Sequence, residues 1–198
     1  MKDPYPPDAS RWSKTTDKLL ASYPLAMSDL VKVVLASWED IFHSRIGSRN
    51  YQIGNDVWPE PQIMGFLLHE LVPLNLANSY PGKWQRCREA AQCDAVYMPD
   101  DDRSFEIKTS SSRNGIFGNR SYAHLSDAAK KRRGSFFLAI NFGKFDVGGP
   151  RPEISLIRFG WLGSGDWVGQ KAESGQQAHL TKEAKAYKLR IIYEQSGK

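Results

Sequence analysis

Asp94, Glu106 and Lys108 stand close together in the stretch CDAVYMPDDDRSFEIKTSS, residues 93–111. Two carboxylates side by side repel one another, and a divalent cation relieves that repulsion best. Oxygen donors select a hard ion, so Mg²⁺ is the expected one. A lysine beside the acids can hold or deprotonate a water and stabilise charge building on a phosphate. The chemistry these three residue types support together is metal-assisted hydrolysis of a phosphodiester.

A β-hairpin is the element that would position them. CDAVYM and SFEIKTS read as strands, and Pro99, Asp100, Asp101, Asp102 and Arg103 between them carry turn chemistry. A five-residue turn sets Met98 opposite Ser104, Val96 opposite Glu106 and Asp94 opposite Lys108. Side chains repeat every second residue along a strand, so all three charged residues then project from one side. The two acids become diagonal neighbours about 7–8 Å apart. The run Asp100 to Asp102 lacks the spacing of an EF-hand and reads as a solvated turn.

Asp94, eleven residues, then Glu106-Ile107-Lys108 resembles the PD-(D/E)xK nuclease signature, with Cys93 where proline is usual. Lys108-Thr109-Ser110-Ser111 leads into GIFGNRSYA, and GWLGSGDWVGQKAESGQQAHL follows at residues 160–180. With these segments the chain resembles type II restriction endonucleases of the ScaI-like group, from about residue 30 onward. The resemblance implies that Asp94, Glu106 and the Ile107 carbonyl bind Mg²⁺ and that Lys108 orients the attacking water. It implies cleavage of double-stranded DNA at a short palindrome, leaving 5′-phosphate and 3′-hydroxyl ends, by a C₂ homodimer with two such centres. Glu70 stands where, in many such nucleases, a glutamate on the preceding helix joins the metal site. A solvent-facing or Arg-paired glutamate is the alternative reading of that residue. A nicking or repair-type nuclease with the same core, or a non-catalytic DNA-binding module, is the alternative function.

The 198 residues, 40% hydrophobic and 12% aromatic, suit one folded domain, here a PD-(D/E)xK nuclease domain over 1–198. A net charge of +5 is compatible with a polyanionic partner. Cys87 and Cys93 match neither a CxxC metal site nor a redox pair and read as thiols. Without a signal-like leader or membrane-length apolar run, the expectation is a soluble, cytoplasmic protein.

Residues 1–27, rich in proline, read as an irregular N-terminal arm. Leu30, Val33, Val34, Trp38, Ile41 and Phe42 recur at helical spacing, with Ser28 placed to cap. Residues 47–62 read as a loop, and a second helix begins near Pro59 to Pro61, buried on most sides and ending at Pro73. Arg86 and Arg88 either touch phosphate or form a charged face. Ser110, Ser111, Arg113, Asn114, Asn119 and Arg120 suit contact with a phosphate backbone or base edges. A short helix after them would place Lys130, Lys131 and Arg132 at its C-terminus, available to phosphates. SFFLAINF reads as a strand buried on both faces, residues 153–159 as another and 187–193 as an edge strand, with 160–169 a turn or ordered loop. The order of elements predicts an α/β fold, a mixed central β-sheet flanked by helices in the manner of a restriction-endonuclease-like core.

Overall fold

The computed structural model describes residues 2–87, 93–123, 134–146, 149–170 and 175–196. Helices α1 (Trp12–Ala21) and α2 (Met27–His43) come first, then a ribbon of β1 (Arg45–Ile46) and β2 (Tyr51–Gln52), and helix α3 (Pro61–Ser79). Strands β3 (Trp84–Arg86), β4 (Ala95–Tyr97), β5 (Phe105–Ser110), β6 (Phe117–Asn119) and β7 (Gly134–Phe142) follow. Strands β8 (Ile154–Gly163), β9 (Trp167–Gly169) and β10 (Gln177–Leu180), helix α4 (Lys182–Tyr187) and strand β11 (Leu189–Glu194) complete the order. Six strands form a central sheet, β11-β8-β7-β5-β4-β3, in which β5 and β7 run parallel and the other pairs antiparallel. Strands β6-β10-β9 make a small antiparallel sheet. The predicted mixed central sheet with helices around it is the architecture adopted.

Strand β7 organises the layers, because all nine of its residues are buried. Phe136, Leu138 and Ile140 join the apolar cluster built with α2 and α3, whereas Phe137 and Ala139 join a second cluster with Ile116, Trp167, Ala178 and Leu180. Helices therefore cover one face and the small sheet covers the other, which explains an unbroken apolar run from Phe136 to Ile140. Its parallel neighbour β5 differs between faces. Phe105 and Ile107 are fully buried on the helix side. Glu106 is in register with Phe137 and Lys108 with Ala139, so both charged residues lie on the side of the small sheet.

The apolar stripe of α2 is buried as its spacing predicts. Ser28 is not the cap: Ala26 holds that place without a side-chain bond, and Ser28 lies in the first turn. The ribbon of β1 and β2 occupies part of the expected loop at 47–62. Helix α3 starts with Pro61 in its first turn but runs through Pro73 to Ser79, two turns past the expected stop. Pro73 removes the N–H that would reach the His69 carbonyl. Burial of Val72 and Leu76 and bonds from Asn75 Nδ2 to Ser37 Oγ (3.1 Å) and Asp40 Oδ2 (2.6 Å) hold the last turns against α2. Nor is α3 buried on most sides, since Ile63, Phe66 and Leu74 are exposed.

The N-terminal stretch also departs from expectation. Residues 1–27 contain α1 and the 3-10 turn Ala9–Arg11 that leads into it. Tyr5 packs against Trp12 and Trp161, and Arg190 of β11 binds both Asp17 and Ser13, so the segment is fastened to the sheet edge. Residues 160–169 are no simple loop either: β8 continues to Gly163, and a 3-10 turn, Ser164–Asp166, delivers β9. Neither cysteine is in a disulfide. Among the described residues no helix is long and apolar enough to cross a membrane.

Gly65 sets how closely α3 approaches β5, because a Cβ there would lie 2.5 Å from Thr109 Oγ1. Gly65→Ala is expected to lower unfolding free energy by about 1–3 kcal/mol in a urea titration. Adding Thr109→Ala should recover part of the loss, and failure to do so would place the cost elsewhere.

Candidate active site

The hairpin forms, with a register different from the one its sequence suggests. Ala95 pairs with Phe105, and residues 98–104 make the connection. Asp100 accepts from the Asp102 N–H at 3.1 Å and Asp101 accepts from Ser104 Oγ at 2.8 Å, so the acidic run caps a 3-10 turn. This turn slides the strands by two residues relative to the expected pairing. A slide of two preserves the faces. It also moves Asp94 from opposite Lys108 to a position beside Glu106, one step on from the Ala95–Phe105 pair. Glu106 and Lys108 bond one another on the side of the small sheet, whereas Asp94 meets the Ile107 amide and His69 of α3, close enough for its charge to act on Lys108.

Each acid is held by several donors. Asp94 Oδ2 accepts the Ile107 N–H at 2.6 Å and lies 3.5 Å from His69 Nδ1. Burial pushes the Asp94 carboxyl up, but His69, Lys108 and the Ile107 amide outweigh it and leave it below the ordinary aspartate value. Glu106 Oε2 accepts from Lys108 Nζ at 3.1 Å and from the Tyr122 hydroxyl at 2.8 Å. The Lys108 side chain is only 15% exposed. Its Nζ lies 5.0 Å from the ring centre of Tyr122 and 5.7 Å from that of Phe137. Burial pulls the Lys108 ammonium down, yet the charges of Glu106 and Asp94 hold it above the usual lysine value, so it is a cation here.

Helix α3 contributes to this cluster through His69. Glu70 forms an ion pair with Arg86 of β3, the Arg-paired arrangement that was the alternative reading of this residue. Helical geometry explains the difference. His69 is one turn beyond Gly65, which touches β5, whereas Glu70 is one turn beyond the exposed Phe66. His69 and Tyr122 are the residues that sequence reasoning missed. For His69 the signal was its place four residues after the small Gly65. For Tyr122 no local signal existed.

The candidate DNA contacts separate into two groups. Residues 110–116 are pinned: Ser110 Oγ accepts from the Ser112 N–H, and Asn141 Nδ2 donates to the carbonyls of Ser112 (2.7 Å) and Gly115 (2.9 Å). Buried Arg158 donates to Asn114 Oδ1 at 2.8 Å and Asn141 Oδ1 at 2.6 Å, and Lys185 Nζ donates to the Asn114 carbonyl at 2.5 Å. Burial pulls the Arg158 pKa down to about 10, which leaves it charged at neutral pH. Ser111 is half-buried and Arg113 exposed in this loop. The second group lies on the small sheet, where Asn119 stands opposite Gln177. Arg120 donates to the Gly175 carbonyl at 3.2 Å. Arg88, Lys130, Lys131 and Arg132, with most of the expected helix before Gly134, lie outside the described residues; Arg120–Ala123 at its start is a 3-10 turn.

One carboxylate at the start of the first strand of a hairpin, with a second carboxylate and a buried ammonium on its second strand in a mixed sheet, is the arrangement the nuclease signature anticipates. Residues 4–193 match the family model of the ScaI restriction endonuclease. The chain belongs to this family. Among similar proteins, the type II restriction enzyme ScaI of Streptomyces caespitosus is 46% identical over 175 residues, covering 87% of this chain and 76% of that one. The family match thus begins well before residue 30, in keeping with an N-terminal segment that packs on the sheet.

Asn141 is 1% exposed and carries both the loop carbonyls and the Arg158 guanidinium. Asn141→Ala is expected to cost about 1–3 kcal/mol, since it strands a buried donor. Limited proteolysis should then cut within residues 111–116, and a loop that stays resistant would show that other contacts hold it.

Proposed function

We propose that this protein is a Mg²⁺-dependent type II restriction endonuclease that cleaves both strands of duplex DNA at a short palindrome, leaving 5′-phosphate and 3′-hydroxyl ends. The observation that carries this reading is the gathering of Asp94, Glu106 and Lys108 beside one another, in a chain of the ScaI restriction endonuclease family. The whole of residues 1–198 would act as one nuclease domain of the PD-(D/E)xK type in the cytoplasm. Support for a single unit is that the family match runs across both apolar clusters.

The donor set fits magnesium. Asp94, Glu106 and the Ile107 carbonyl offer hard oxygens, and among the described residues no group of three or more His, Cys, Asp or Glu forms a metal cage. A site with so few protein ligands suits an ion that keeps several waters. When bound, magnesium would polarise the scissile phosphate and lower the pKa of a bound water. Lys108 serves as a cation that orients the attacking water and balances charge on the phosphate. Glu70, paired with Arg86, steadies the α3 end of the site in this reading rather than supplying a ligand. His69 and the Ile107 amide fix the Asp94 carboxylate.

Ser110, Ser111, Arg113 and Asn114 would lie along the DNA backbone. Asn119 and Arg120, beside the exposed Gln177, would face base edges, for which amide and guanidinium groups are suited. Cutting both strands of a palindrome calls for two centres related by a two-fold axis, hence a homodimer. What supports it is the outer face of α3, where Ile63, Phe66 and Leu74 are 52, 60 and 41% exposed. An apolar stripe there is what a second copy would cover.

Asp94→Ala, Glu106→Ala and Lys108→Ala should each slow plasmid cleavage by about 10²–10³-fold while duplex binding without metal is kept. Chelation of divalent ions should abolish cutting of the unaltered protein. Retained cleavage in these variants would place the catalytic centre elsewhere, and duplex binding without any cleavage by the unaltered protein would point to a DNA-binding module. Phe66→Glu should convert dimers to monomers in light scattering and linear products to open circles; open circles from the unaltered protein would instead indicate a nicking enzyme.

A further inference from the structure

Tyr122 lies outside the acid-x-lysine signature and follows β6 in the 3-10 turn Arg120–Ala123. Its ring is stacked on Trp167 with centroids 5.1 Å apart and planes at 28°, and meets Phe137 edge-on at 6.0 Å. Gly118 makes room for this stack, because a Cβ there would come within 2.9 Å of the Trp167 ring and 3.1 Å of Tyr122. The ring is thus set by packing, and the hydroxyl donates to Glu106 Oε2 at 2.8 Å with the Lys108 ammonium also beside it. Lys108 Nζ reaches the same oxygen at 3.1 Å. Among the described residues no hydrogen bond is made to the other oxygen of Glu106.

From this geometry we propose that Tyr122 is a positioning residue for the nuclease centre. It donates to Glu106 Oε2, commits that oxygen to the Tyr122–Lys108 side, and so presents Oε1 to the divalent ion. A carboxylate pinned through one oxygen loses less rotational freedom when it binds an ion. The same bond ties β6, three residues after Asn119, to the strand that carries Glu106 and Lys108. This inference rests on the nuclease reading above.

Tyr122→Phe tests it, because the ring and its stacking stay while the hydroxyl goes. Cleavage at saturating Mg²⁺ is expected to fall about 10-fold or more, and half-maximal Mg²⁺ to rise several-fold. Calorimetric titration of Mn²⁺ into the protein without DNA should show affinity weakened in step, with metal-free duplex binding within twofold of the unaltered protein. The proposal is overturned if Tyr122→Phe binds Mn²⁺ and cuts as the unaltered protein does, or if it slows cleavage with Mn²⁺ affinity unchanged. Failure of the nuclease reading itself looks different: the unaltered protein would then leave duplex DNA uncut with either Mg²⁺ or Mn²⁺.

Discussion

A lysine ammonium held among aromatic rings with little access to water is the constraint on which this site turns. Lys108 is costly there unless an anion lies against it, since an unpaired buried charge costs several kcal/mol. Glu106 at 3.1 Å meets that need, with Asp94 adding to it from the neighbouring strand. The two carboxylates in turn would repel without the donors around them, namely the Ile107 amide, His69, Lys108 and Tyr122. Each charge is therefore tolerable only because the others are in place. A cluster of this kind is stable enough to persist in a fold.

Both layers of the protein serve that cluster. On one face of the sheet, α3 presses close enough through Gly65 to bring His69 to Asp94. On the other, the small sheet and its 3-10 turn bring Tyr122 down onto Glu106. Strand β7, apolar on both faces, is what lets two such layers flank one sheet. The charged face of β5 then occurs where the small sheet leaves off, a partly enclosed place rather than open surface.

Membership in the ScaI restriction endonuclease family agrees with this construction and extends it to almost the full chain. The segment before α2, which composition alone casts as an irregular arm, is fastened to the edge strand by Arg190, Asp17 and the rings of Tyr5 and Trp12. The buried Arg158 likewise shows that the loop after β5 is built rather than loose, because its guanidinium is spent on Asn114 and Asn141.

What the residues decided unaided was the set of faces. Alternation along 105–108 and the apolar run from Phe136 to Ile140 in β7 place Glu106 and Lys108 on one side and the core on the other, because strand side chains repeat every two residues. The spacing of Leu30, Val34, Trp38 and Ile41 likewise specifies α2. Register was a different matter. It depended on the shape of the turn at 98–104, which consumed two more residues than a minimal reading allows and brought Asp94 against the Ile107 amide. The choice of His69 over Glu70 depended on which side of α3 met β5, and the course of α3 through Pro73 depended on packing against α2. Tyr122 reached Glu106 only because a second sheet folded over the first. Periodicity is local and can be read from neighbours in the chain, whereas which distant surfaces meet is settled by burial of the whole.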